Sequence, residues 1–162
     1  MRNLQIGVIG SVADIGYSED IERIAEQVGE EVAKRSCILF YGAEKDGDSL
    51  STAAARGAKK FNGTTVGVTY GAGKKIIEAQ TDIIIPTGMG RGGGREYLLA
   101  ICCDAIIGIR GGSGTLNEFL AGYQNDIPLI GIEGTGGMTD LFIERPFDQR
   151  RKPIYRAKNA FD

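Results

Sequence analysis

Ile109-Arg110-Gly111-Gly112-Ser113-Gly114-Thr115-Leu116-Asn117-Glu118 is the stretch whose reading decides the fold. The apolar run Ala105 to Ile109 is strand-like, three glycines follow within four residues, and a helical pattern starts at Ser113 or Thr115. The first N–H groups of a helix lack internal acceptors and sit at the positive end of its dipole. Glycine lets an anion approach that backbone closely, and the hydroxyls of Ser113 and Thr115 add donors. Gly111, Gly112, Ser113, Gly114 and Thr115 are therefore candidate phosphate-binding residues. The run does not match Gly-x-x-x-x-Gly-Lys-Ser/Thr, so a monophosphate end suits it better than triphosphate hydrolysis. A tight strand-to-helix turn that needs glycine only for its conformation has the same spelling.

Outward from this junction, strands and helices alternate. Leu4 to Ile9, Cys37 to Tyr41, Thr65 to Tyr70, Thr81 to Pro86 and Pro128 to Ile132 read as further strands. Ser18 opens a helix with Ile21, Ile24, Ala25, Val28 and Val32 on one face, and Asp48-Ser49 caps a second carrying Leu50, Ala53, Ala54 and Ala58. Arg95 to Cys103, Thr115 to Gln124 and a short piece from Thr139 to Glu144 complete the helices. The stretch Gly71 to Gln80 reads as one helical turn or two, and the chain ends in a basic tail. Such alternation predicts a Rossmann-like, doubly wound α/β domain over 1–162, its mainly parallel sheet covered by helices on both faces. Ligands bind at the carboxyl ends of such strands, where strand order reverses. Gly10-Ser11, Gly42-Ala43, the 87–94 run and the 111–115 run all fall there, which adds Gly10, Ser11 and Gly42 to the candidate nucleotide-binding residues.

Composition narrows the function. The 162 residues include 25 glycines, about twice the usual share, clustered where backbone turns tightly or meets a ligand. A net charge of −2 speaks against nucleic acid as a partner. No apolar run is long enough to span a membrane, and Met1-Arg2-Asn3-Leu4 has no signal-peptide layout. Cys37, Cys102 and Cys103 form no Cys-x-x-Cys pair, which suits reduced thiols and a cytoplasmic location. With no histidine in the chain, a Ser-His-Asp or Cys-His mechanism is ruled out, as is a histidine-held zinc. Acid–base chemistry falls to carboxylate, lysine, tyrosine or water.

Glu118 lies one helical turn beyond Thr115, so its carboxylate faces the loop mouth. There it would stabilise positive charge growing at a ribose carbon or activate water, while an exposed first-turn glutamate is the plainer reading. Arg95 starts a helix, an unfavourable place for a cation, and asks for an anionic partner: a ligand phosphate, Glu96 or Glu118. Arg91 is either a mobile clamp or a solvated loop cation. Glu44, Asp46 and Asp48 lack the remainder of a calcium loop, so no metal site is expected.

With Gly111-Gly112-Ser113-Gly114-Thr115 followed by Glu118, and Arg95-Glu96 before the strand, the chain resembles the LONELY GUY (LOG) and molybdenum-cofactor-carrier superfamily. Its small single-domain branch is the nearest match, supported by Ala54-Ala55-Arg56-Gly57-Ala58, Thr65-Val66-Gly67-Val68 and Gly134-Thr135-Gly136-Gly137-Met138-Thr139-Asp140. The resemblance implies a Rossmann-like fold and self-association as a dimer or tetramer. In LOG enzymes it implies phosphoribohydrolase activity, cleaving the N-glycosidic bond of a nucleoside 5′-monophosphate. Arg95 and Glu118 would then be catalytic, the glycine loop would hold the 5′-phosphate, and no cofactor would be required. Carrier-type relatives imply the alternative, a non-catalytic carrier or sensor that binds a phosphorylated pterin (the molybdenum cofactor) or a nucleotide. Members often bear a lysine-decarboxylase label, yet nothing in this chain resembles a pyridoxal-phosphate lysine site. The chain has Arg110 where LOG enzymes have proline, Asn117 where they have a first glutamate, and Glu96 where they have lysine. Gly42-Ala43-Glu44 stands in place of their glycine run.

Overall fold

The computed structural model describes residues 2–145, 147–150 and 152–162. Met1 of the N-terminal run and Arg151 of the basic tail lie outside them. In chain order the elements are β1 (Gln5–Gly10), a single 3-10 turn (Ala13–Ile15), α1 (Glu19–Lys34), β2 (Ile38–Gly42), α2 (Leu50–Lys60), β3 (Thr65–Thr69) and β4 (Ile83–Pro86). There follow α3 (Gly94–Ile101), β5 (Ala105–Ile109), α4 (Ser113–Gln124), β6 (Leu129–Ile132), α5 (Gly137–Glu144) and β7 (Ile154–Ala157). The seven strands form one sheet in the order β4-β3-β2-β1-β5-β6-β7, and every pairing is parallel. The fold is Rossmann-like, with the parallel character extending to all seven strands.

Alternate residues of the central strands feed two cores. Val8, Leu39, Tyr41 and Ile109 pack with α1 and α2 on one face. Ile9, Phe40, Val66, Val68 and Ile106 pack with Leu99 of α3 and Phe119 of α4 on the other. This is why the strands read as nearly continuous apolar runs. On α1 the apolar stripe faces the sheet, while Glu22 and Glu26 reach across to Arg56 and Lys60 of α2.

Local expectations met mixed outcomes. Ser18 caps α1 through its hydroxyl, which accepts from the Ile21 N–H. At α2 the cap is Ser49 alone, with Oγ accepting from Thr52 N–H at 3.0 Å, while the Asp48 carboxylate turns to Arg56 instead. The 71–80 stretch forms no helix. Its glycines and lack of a repeating apolar face leave it as bends, held where the Ile77 N–H donates to the Glu44 carbonyl. The basic tail holds a strand, β7, that its charge conceals. Four residues at a sheet edge, with Tyr155 and Arg156 exposed, carry little periodic signal.

The chain builds outward from β1 to β4, then crosses back to place β5 beside β1. Strand order therefore reverses between β1 and β5, and the carboxyl ends there are Gly10 and Ile109. This crevice receives the 111–115 loop.

Candidate functional site

The turn between β5 and α4 is held from three sides. Arg110 and Gly111 both take left-handed backbone conformations, φ 57° and 88°. Gly111 is required: a Cβ there would stand 2.3 Å from Thr115 Oγ1. The Gly111 N–H donates to Ser11 Oγ at 2.9 Å and the Arg110 N–H to Thr135 Oγ1 at 2.8 Å. In turn the carbonyls of Arg110 and Gly111 accept from Thr139 and Met138 at the start of α5. The 134–140 run thus buttresses the loop from outside.

This bracing presents the first turn of α4 to a cavity of about 440 Å³. Among the described residues, no acceptor meets the N–H groups of Ser113, Gly114 and Thr115, and no side chain caps the helix. A Cβ at Gly114 would enter open space. Three unpaired donors at the positive end of a twelve-residue helix have the chemistry that suits an anion. Gly10, Gly42, Gly112, Ser113, Gly114 and Thr115 all line the cavity, as do Arg95 and Glu118. Ser11 and Gly111 stand behind it, bonded to each other.

The cavity's deep end is an ion cluster assembled from three distant segments. Arg95 of α3 lies 3.4 Å from Glu118 of α4, 3.4 Å from Glu96 and 3.5 Å from Glu44, which follows β2. All four are at most 6 % exposed. Gly42 is the floor of this cluster, since a Cβ there would lie 2.1 Å from Arg95 Nη1. Arg95 Nε is buried with no acceptor among the described residues. Arg91 joins from the 87–94 run, 2.8 Å from Glu44 and stacked 4.6 Å from the centre of the Tyr70 ring, whose hydroxyl donates to Asp46.

Burial divides the carboxylates. It pushes the Glu118 carboxyl up to about 8; Arg95 opposes this, and the charges of Glu96 and Glu44 add to it. Burial also raises Glu44, against the pull of Arg95 and Arg91. For Glu96 burial is outweighed by Arg95 and by backbone N–H groups, those of Gly92 and Gly93 donating to it, so its carboxyl titrates low. At neutral pH the cluster therefore holds a protonated Glu118 beside ionised Glu96.

Sequence reasoning named Arg95 and Glu118, and the fold brings them together. Asn117 faces the cavity as well, whereas Arg110 turns away, donating to the carbonyls of Gly16 and Thr135. Glu44, Ser49 and Ser51 line the cavity without having been singled out for it. Their signal was position: they follow the carboxyl end of β2, on the same sheet edge as Gly10 and Gly111. Chemically, the site offers backbone donors at one end and carboxyl-rich surface at the other, the layout for a molecule with one anionic end. No helix among the described residues is long and apolar enough to cross a membrane.

Comparison with known proteins agrees with this architecture. A protein of Archaeoglobus fulgidus, described as uncharacterized, is 34% identical over 118 residues, covering 73% of this chain and 72% of that one. The molybdenum cofactor binding protein from the phototrophic bacterium Rippkaea orientalis shares the fold, with a TM-score of 0.84 at 24% identity over 99% of this chain and 93% of that one. The molybdenum cofactor carrier protein of Chlamydomonas reinhardtii superposes with a TM-score of 0.80 at 25% identity, over 99% of this chain and 92% of that one. The model of the SLOG cluster4 family matches residues 3–160, and the chain belongs to that family.

Proposed function

We propose that the protein is a non-catalytic binder of a small phosphorylated molecule, a carrier or sensor for a phosphorylated pterin such as the molybdenum cofactor, or for a nucleotide. The observation that carries this reading is the set of unpaired N–H groups of Ser113, Gly114 and Thr115 at the cavity wall. The likeness to a carrier that covers almost the whole chain supports it. So does the state of Glu118. Glycosidic cleavage needs an ionised carboxylate near the sugar to stabilise an oxocarbenium-like transition state. Burial keeps Glu118 protonated at neutral pH, and Arg95 occupies the space beside it.

Purified protein incubated with molybdenum cofactor or with AMP should show a raised melting temperature and saturable binding without release of free base. Steady release of adenine from AMP would overturn the non-catalytic reading, and absence of stabilisation by either compound would remove the binding reading itself.

One feature favours hydrolysis as a second reading: a carboxyl titrating near 8 inside a ligand-sized cavity. Such a group suits a general acid that protonates a departing base, with Arg95 holding it in place. Glu118→Gln would then abolish base release from AMP while leaving AMP binding intact. Unchanged turnover in that variant would take Glu118 out of the chemistry.

A further inference from the structure

Two arginines line the carboxyl-rich end of the cavity, Arg95 buried and Arg91 half-exposed, and each already has a carboxyl partner, while Arg95 Nε has no acceptor among the described residues. Glu44 is the residue that engages both: Oε2 lies 2.8 Å from Arg91 and Oε1 3.5 Å from Arg95. It is 4 % exposed, and its backbone carbonyl is fixed by the Ile77 N–H. Glu96 is committed elsewhere, accepting from the N–H groups of Gly92 and Gly93 while it faces Arg95. Glu44 is thus the carboxyl partner of Arg91 and one of three carboxyl groups around Arg95, with Glu96 and Glu118. The first turn of α4 is opposite in kind, with donors and no carboxylate bonded to them.

We infer that Glu44 determines specificity: by occupying Arg91, and by joining Glu96 and Glu118 around Arg95, it confines the anionic end of a ligand to the first turn of α4 and reserves the deep end for groups that donate hydrogen bonds. This rests on the reading of that turn as an anion seat. The ligand class it selects is a phosphomonoester whose far end is an uncharged, amino-bearing heterocycle. Carboxylate oxygens accept from ring N–H and amino groups, and they repel a second phosphate. Molecules anionic at both ends are refused. Removing the Glu44 carboxyl would free Arg91, whose guanidinium has the fork geometry that phosphate prefers, and leave Arg95 with Glu96 and Glu118.

Inorganic phosphate titrated into 15N-labelled protein and followed by NMR tests this. In the wild type, saturable shifts should appear at the N–H groups of Ser113, Gly114 and Thr115 and be absent from the side-chain N–H groups of Arg91 and Arg95. Glu44→Gln, and independently Glu44→Ala, should gain a second saturable response at Arg91, at least tenfold tighter than any wild-type response there. The same spectra report whether each variant is folded. Phosphate moving the arginine signals in the wild type overturns the inference, and so does a folded variant that gains no second site. If both variants unfold, the wild type decides: shifts confined to 113–115 uphold it. Silence at 113–115 in every protein removes the anion seat, while the arginine signals of the variants still judge Glu44.

Discussion

The two ends of the cavity both contain hydrogen-bond donors, held in contrasting ways. At the first turn of α4 the donors are backbone N–H groups without acceptors, fixed by the helix and costing no reorganisation when a ligand arrives. At the other end the buried Arg95 guanidinium is enclosed by Glu44, Glu96 and Glu118. The first end has no partner among the described residues, while the second has carboxyl partners within the chain for all but Arg95 Nε. Binding should therefore depend on the α4 end and stability on the Arg95 end, and substitutions that separate the two properties test that division.

The largest effect is expected from Arg95→Ala. It leaves Glu44 and Glu96 buried without their shared cation, and breaking a buried pair in this way costs about 3 kcal/mol or more. Urea denaturation at neutral pH should show that loss. A variant as stable as the wild type would mean that the cluster is held by packing rather than by charge.

Next comes the pH dependence of Glu118. Its carboxyl titrates near 8 in the folded chain against an ordinary value of 4.5. Between those values the folded chain keeps a proton that the unfolded chain releases. The contribution to stability is therefore complete below about pH 4.5 and lost as pH rises through about 8. Glu118→Gln removes this slope. The stability of the variant relative to the wild type should rise by on the order of 2 kcal/mol between about pH 6.5 and pH 9. Parallel curves would show that Glu118 is ionised in the folded protein at neutral pH.

The two ends also differ in how far they can be read from sequence. The α4 end is local: strand, glycines and helix start lie within ten residues, so Gly112 to Thr115 can be assigned from spacing alone. Arg95 and Glu118 announced themselves as a cation in a first turn and a carboxylate one turn past the loop. Glu44 did not, because its role depends on β2 ending beside α3, a tertiary fact. The fold itself was legible wherever strands were buried on both faces. It faded at β7, an exposed four-residue edge, and at 71–80, where glycine-rich bends have no apolar period to reveal them.

Gly114→Asp separates the two ends most cleanly. The new side chain would enter open space and place a carboxylate at the first turn of α4. For the isolated helix that is favourable by roughly 0.3–1 kcal/mol. For an incoming phosphate it is repulsive, and AMP or molybdenum cofactor should bind at least tenfold more weakly, about 1.4 kcal/mol. Calorimetric titration together with thermal unfolding would read both. Unchanged affinity would place the anion elsewhere in the cavity and leave the loop a plain turn.

Arg110→Ala should have the smallest effect, and its location explains why. Arg110 sits within the loop proposed as the anion seat, so proximity in sequence makes it an obvious candidate phosphate ligand. The fold directs it the other way: Nε donates to the Gly16 carbonyl at 3.0 Å and Nη1 to the Thr135 carbonyl at 3.3 Å, joining the segment before α1 to the run that buttresses the loop. Its backbone N–H and carbonyl, which hold the turn to Thr135 and Thr139, survive the substitution. Affinity for AMP should change less than twofold, and stability should fall by about 1 kcal/mol for the two side-chain bonds. A tenfold loss of affinity without loss of stability would show that Arg110 swings into the cavity to meet the ligand, and the anion seat would then need a side-chain cation beside its three backbone donors.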